Sequence, residues 1–206
     1  MTDIKDTKEQ KAYWSERYTA RRMGWDIGFP STPIKTYIDQ LEDKNLNVLI
    51  PGAGNAYEAE YLFQSGFSNV HILDISSAPL RAFQQRVPNF PKAQLLEDNF
   101  FEHQGQYDLI FEQTFFCSFP PTVSNRQLYA KKMHELLLEG GKLVGLWFDF
   151  PLEDNLEKRP FGGTKEEYLS YLSPLFQVHT FERSYNSIPP RADKELFGIF
   201  QKVEHP

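Results

Sequence analysis

Val48-Leu49-Ile50-Pro51-Gly52-Ala53-Gly54 runs from a short apolar strand into a glycine turn, and Val70-His71-Ile72-Leu73-Asp74 follows as a second apolar strand that ends on an acid. This is the layout of a nucleotide-binding βαβ unit. The two glycines let the backbone approach a ligand and present N–H groups at the start of a helix expected over Asn55 to Gln64. Asp74 stands twenty residues past Gly54, where a carboxylate at a strand end can accept hydrogen bonds from both hydroxyls of a ribose.

A dinucleotide fingerprint asks for a third glycine at the position held by Tyr57, whose bulk obstructs the close helix-to-strand packing that seats a pyrophosphate. NAD is therefore disfavoured. A nucleoside ligand without a phosphate remains, and S-adenosylmethionine is the common one.

Outward from this unit, strand patterns recur at Leu46 to Ile50, Val70 to Asp74, Ala93 to Leu96, Tyr107 to Glu112 and Lys142 to Phe148, with helical patterns between most of them. That alternation predicts a parallel sheet. Ser76 or Ser77 caps a helix that Pro79 opens and that closes before Pro88. From Ser124 to Leu138, Tyr129, Met133, Leu136 and Leu137 share one helical face, and Gly140-Gly141 is expected to end the helix. Thr164 and Glu167 form a capping box. Two last strands, Leu175 to Ser184 and Glu195 to Val203, are separated by Pro189-Pro190 and are expected as an antiparallel edge, since no crossover helix joins them. The expected fold is α/β and Rossmann-like, of the class I methyltransferase kind: seven strands, mostly parallel with an antiparallel C-terminal strand, and helices on both faces.

The 206 residues suit one domain spanning 1–206, with 1–33 as an N-terminal helix and lid over the site. A formal charge of -6 and dispersed lysines and arginines argue against a nucleic-acid partner. Residues 1–11 are polar and resemble neither a signal peptide nor an anchor, and no stretch approaches the roughly 18 apolar residues that cross a bilayer, so a soluble, cytoplasmic protein without membrane contact is expected. The single cysteine, Cys117, excludes an intramolecular disulfide and suits a reducing compartment; between aromatic residues it reads as a small apolar side chain. None of the five histidines is spaced to share a metal with another or with Cys117, so no metal is expected. There are no heptads, and no obligate protein partner is expected.

The chain resembles the thiopurine S-methyltransferase superfamily, and within it the plant and microbial thiol and halide methyltransferases. The likeness covers nearly its whole length. It rests on Trp14 with Trp25-Asp26-x-Gly28, Pro51-Gly52-x-Gly54, Leu73-Asp74-Ile75-Ser76, Glu97-Asp98 with Phe100-Phe101, Asp108-Leu109-Ile110-Phe111 with Phe115-Phe116-Cys117, Leu136-Leu137 with Gly141, and Ser187-Ile188 with Arg191. The resemblance implies that Trp14 and Trp25 cover cofactor and substrate, that Gly52 (with Gly54) approaches the methionine moiety, that Asp74 takes the ribose, and that Asn99 and Phe100 take the adenine. A position that contacts cofactor or substrate in relatives, as Arg or Tyr, is Gln113 here. Phe29, Trp25 and Phe116 are expected to line the acceptor pocket; for Phe116 the reason is that the run Phe115-Phe116-Cys117-Ser118-Phe119 follows a parallel strand at its carboxyl end.

Methyl transfer from a sulfonium is an in-line displacement that needs a good nucleophile in place, and neither a metal nor a covalent intermediate. Positive charge near a thiol favours its thiolate. Arg191 and Arg126 are the cations expected to supply it. The expected activity is methylation of a small soft nucleophile: a thiol, bisulfide, halide or related chalcogen species. Two alternatives stay open on the residues alone: methyl transfer to a larger oxygen or nitrogen nucleophile with a general base, and a module that binds the cofactor without turnover. Asp149 at the end of the fifth strand either faces the pocket or begins an acidic loop with Glu153 and Asp154.

Overall fold

The computed structural model describes residue 4 and residues 6–152 and 159–203. Its centre is a seven-stranded sheet: β1 (Val48–Pro51), β2 (Val70–Asp74), β3 (Leu95–Glu97), β4 (Tyr107–Gln113), β5 (Leu137–Phe148), β6 (Phe176–Arg183) and β7 (Glu195–Lys202), in the order β3-β2-β1-β4-β5-β7-β6. From β3 to β5 every neighbouring pair is parallel. β7 then runs antiparallel between β5 and β6, with Val144 opposite Ile199 and Phe181 opposite Gly198. The expected antiparallel pair is therefore present, and β6 is its outer strand.

Side chains alternate across each strand, so β1 sends Leu49 to one face and Val48 and Ile50 to the other. Leu49 joins Ile110, Leu143 and Trp147 beneath α5 (Val123–Leu136) and α6 (Lys165–Leu172). Val48 and Ile50 join Leu109, Phe111 and Val144 beneath α2 (Thr32–Ile38), α3 (Tyr57–Gln64) and α4 (Ser77–Arg86). Burial on both faces explains why β1 is apolar throughout rather than alternating.

Both caps are present, with Ser76 Oγ accepting from Ala78 N at 3.3 Å and Thr164 Oγ1 from Glu167 N at 3.2 Å, but the Glu167 carboxylate expected to complete a capping box pairs with Arg126. Two boundaries differ. Helix α5 ends at Leu136, and Gly140-Gly141 lie inside β5. Gly140, at φ +77°, sits where the pairing of β4 and β5 slips from Tyr107–Leu137 to Leu109–Lys142, so it relieves an irregularity of the sheet instead of stopping a helix. Helix α3 begins at Tyr57 because Ala56, at φ +53°, is left-handed.

α1 (Thr7–Thr19) lies against the carboxyl ends of β2 and β3. Lys11 pairs with Glu97, Asn99 Nδ2 donates to Thr7 Oγ1 at 2.7 Å, and Ser15 and Ser76 share a hydrogen bond of 3.0 Å. The acidic loop of Glu153 and Asp154 lies outside the described residues. Asp149 pairs with Arg183 at the sheet end.

Candidate active site

The strand order reverses between β1 and β4, and the crevice at such a switch point is where open α/β sheets bind ligands. A cavity of about 310 Å³ opens there, walled by the turn after β1, the end of β2, residues 98–101, the run after β4 and the N-terminal segment. Seven of the expected residues line it: Trp14, Trp25, Gly52, Asp74, Asn99, Phe100 and Arg191.

Gly52 has φ +58°, and a Cβ on it would overlap Cδ2 of Phe115 and lie 2.5 Å from Cε2. Only a residue without a side chain fits this floor. Gly54, also left-handed at φ +55°, does not line the cavity itself but aims its N–H at Asp74 Oδ2, 3.4 Å away. Asp74 Oδ1 accepts from Ser76 N at 2.8 Å, and the Tyr18 hydroxyl stands against the same carboxylate. Burial pushes the Asp74 carboxyl up to about 6, against the pull of those hydrogen bonds. It also pushes the Tyr18 phenol up, and the nearby Asp74 charge adds to this.

Asn99 Oδ1 accepts from Phe101 N at 3.0 Å, and Phe100 stacks edge-on with Phe115 at 5.1 Å. Trp14 and Trp25 meet edge to face at 5.6 Å. Arg191 Nη2 donates to the Trp25 carbonyl at 2.8 Å and Nη1 to Glu195 Oε1 at 3.3 Å. It ties the segment carrying Trp25 to β7, with its charge matched by a buried carboxylate.

Four expected residues stand elsewhere. Arg126 is outside the cavity: it pairs with Glu167, donates to the Gly162 carbonyl at 2.7 Å and lies over the rings of Phe116 and Tyr168, binding α5 to α6. Phe116 turns into that same core, edge-on to Tyr129 at 4.7 Å. Gln113 and Phe29 border a separate depression on the other side of Trp25 and Gly52, and Phe29 is 47% exposed. β4's pleat is the cause for Gln113, whose side chain points away from the main cavity.

Phe115, Cys117, Ser118 and Phe119, from the run after β4, do border the cavity. Phe148, Tyr18, Arg17, Asp98 and Arg159 line it too and were missed by sequence reading. Burial raises the Cys117 thiol, which donates to the Thr114 carbonyl at 3.2 Å, so it is protonated and inert. Behind the aromatic run, fully buried Glu112 accepts from Phe115 N at 2.9 Å, Phe116 N at 3.0 Å and the Tyr129 hydroxyl. An acid following the apolar residues Leu109-Ile110-Phe111 of one strand was the available signal for it. Among the described residues no cluster of His, Cys, Asp and Glu is placed to hold a metal, and no helix is long and apolar enough to cross a membrane.

A seven-stranded sheet with one reversed strand, a glycine floor and an acid at the end of β2 defines the class I S-adenosylmethionine-dependent methyltransferases. The chain belongs to the thiopurine S-methyltransferase (TPMT) family, whose sequence profile it matches over residues 9–205. It is 31% identical over 195 residues to the probable thiol methyltransferase 2 of Arabidopsis thaliana, covering 92% of this chain and 84% of the relative. Thiocyanate methyltransferase 1 of the same plant is 29% identical over 197 residues, covering 92% and 82%. In fold it is similar to the 1,6-didemethyltoxoflavin-N1-methyltransferase of Burkholderia thailandensis, solved with S-adenosylhomocysteine, at a TM-score of 0.79 and 14% identity over 99% of this chain and 92% of that one. The magnesium protoporphyrin IX methyltransferase of Synechocystis with bound S-adenosylmethionine gives 0.72 and 15% over 98% and 99%.

Proposed function

We propose that this enzyme methylates a small soft nucleophile, a thiol, bisulfide, halide or related chalcogen species, in the aromatic part of the cavity. The observation that carries this reading is the chemistry of the walls. Among the described residues the cavity is lined by neither histidine nor lysine, and its acids are engaged: Asp74 by two backbone N–H groups, Asp98 by Asn99 N at 2.8 Å and by His103 at 3.1 Å. An oxygen or nitrogen acceptor needs a base to take its proton. A thiolate or halide does not. The relatives named for thiol and thiocyanate methylation support the same choice.

The residues present suit the cofactor. Gly52 leaves room for a close approach of the methionine part; Asp74, already accepting from a phenol, offers the same acceptor to a ribose diol; Asn99 and Phe100 border the adenine end, and Gln113 stays outside the contact set. When bound, S-adenosylmethionine supplies a methyl group on a sulfonium. The chain's task is to hold a nucleophile roughly 3 to 3.5 Å from that carbon and to exclude water. Trp14 and Trp25, on a segment fastened by Arg191, serve as the lid, and the whole chain works as one domain. The unpaired, buried Cys117 suits a reducing compartment such as the cytoplasm.

Calorimetric titration with S-adenosylhomocysteine, alongside Asp74→Ala, tests the cofactor half: micromolar binding lost at least about tenfold in the variant is expected. Iodide, bisulfide and a thiophenol added with S-adenosylmethionine test the acceptor half. Methylated product from none of them, with cofactor bound, would overturn the soft-nucleophile reading.

A further inference from the structure

Three arginines border the cavity, and only one of them meets a carboxylate among the described residues. Arg191 is matched by Glu195. Arg159 and Arg17 have no such partner there. Both donate to one oxygen, the Tyr13 hydroxyl, at 3.2 and 2.7 Å, and their guanidinium carbons lie 4.6 and 5.1 Å from the centre of the Tyr13 ring. Arg159 Nε donates to the Ser118 carbonyl at 2.6 Å, which fixes its plane against the run after β4. The rings of Trp14 and Phe161, at 5.7 and 5.4 Å, brace it further. The rest of its five donors have no partner among the described residues, and the residue lines the cavity together with Trp14, Ser118 and Phe119.

A half-buried guanidinium held rigid by four neighbours, next to a second one and with no counter-charge among the described residues, is an anion site. Aromatic faces steady the cation without neutralising it. We propose that Arg159, supported by Arg17 through Tyr13, holds the methyl acceptor as an anion, and that neither Arg191 nor Arg126 does so. This rests on the methyl-transfer reading of the cavity and names the charge state of its acceptor: halide, bisulfide-type anion or thiolate. A thiol is held after its proton has gone to water. The lone pair of the held anion then forms the bond to the methyl carbon while the carbon–sulfonium bond breaks toward sulfur, so anion and cation become two neutral products. The guanidinium binds the anion and lowers the pKa of a bound thiol; it takes no proton.

The test uses the full chain, Arg159→Gln, which keeps donors and loses the charge, and Arg159→Lys, which keeps the charge. S-adenosylhomocysteine affinity is measured first by calorimetry; failure of the wild type to bind it would sink the methyltransferase reading itself, separately from this inference. Iodide is then titrated into the S-adenosylhomocysteine complex while tryptophan emission is read, since Trp14 stands beside the proposed site. Saturable quenching is expected in the wild type, weakened at least about tenfold in Arg159→Gln and less in Arg159→Lys, as for loss of one charged hydrogen bond. With S-adenosylmethionine, KM for iodide rises by a similar factor at little-changed kcat and without pH dependence, whereas the pH profile with a thiophenol moves to higher pH. Quenching or iodide KM unchanged in Arg159→Gln would overturn the proposal and leave Arg159 a brace for Tyr13 and Ser118. Should the variant fail to bind S-adenosylhomocysteine, perchlorate decides on the wild type: competition with iodide at unchanged S-adenosylhomocysteine affinity supports the anion site, and no competition overturns it.

Discussion

Replacing Glu112 by glutamine should invert the stability order of the two proteins between mildly acid and mildly alkaline pH. Burial raises this carboxyl from an ordinary 4.5 to about 7, despite hydrogen bonds from Tyr129, Phe116 N and Phe115 N that favour the anion. The folded protein therefore holds a proton on Glu112 through a range in which the unfolded chain has released it. With fewer protons bound in the unfolded state, the contribution of Glu112 to stability falls as pH rises, from 4.5 until about 7, and is constant on either side. At about 1.4 kcal/mol per decade of proton affinity, the full loss is about 3 kcal/mol. The introduced glutamine cannot ionise, and its carbonyl oxygen still accepts from the two backbone N–H groups. Its amide nitrogen meets the Tyr129 hydroxyl as a donor, at a cost of about 1 kcal/mol. The variant should thus be slightly weaker near about pH 4.5 and about 2 kcal/mol stronger near about pH 8. Asp74 titrates in a similar range but is common to both chains and cancels in the difference. Urea unfolding of both proteins across that range, followed by near-ultraviolet circular dichroism, reads the difference directly. A difference constant to within about 0.5 kcal/mol across the range would refute the argument, because it would mean that the hydrogen bonds keep Glu112 ionised throughout.

Gly52→Ala should cost about 1–2 kcal/mol for a left-handed L-residue, plus the displacement of Phe115 from the floor of the cavity. In thermal unfolding, Gly52→Ala with Phe115→Ala should lose less than the sum of the two single variants, since the overlap is gone and only the backbone strain remains. Among the described residues, Arg191→Met leaves the Glu195 carboxylate, 2% exposed, with only the Ser187 hydroxyl, and it removes the Arg191 donor from the Trp25 carbonyl. A loss of about 3–5 kcal/mol in urea unfolding is expected, and Glu195→Gln in the same chain should restore part of it.

The parts of this molecule that were legible in the sequence are those set by neighbours a few residues apart. The turn from β1, the acid that ends β2 and the caps at Ser76 and Thr164 depend on local backbone geometry, and each stands where it was read. Gly140 was misread for a related reason: the same left-handed preference ends a helix or relieves a slipped strand pair, and only the pairing of β4 with β5 distinguishes them. The cations of the site fail differently. Arg126 and Arg191 are visible as charges, but what a charge can do depends on what neutralises it: Glu195 stands only four residues from Arg191, while Glu167, 41 residues from Arg126, is not found by spacing. Arg126 meets Glu167 only because α6 packs beside α5. Arg159 meets no carboxylate among the described residues because the chain after β5 comes back against α1, where the nearest groups are Tyr13 and Trp14. A guanidinium surrounded by rings and carbonyls keeps its field, whereas one beside a buried carboxylate spends it within the fold. The electrostatic character of the cavity therefore follows from which of its arginines meets an acid among the described residues: Glu195 stands four positions from Arg191, whereas the hydroxyl and ring that hold Arg159 belong to Tyr13, 146 positions away.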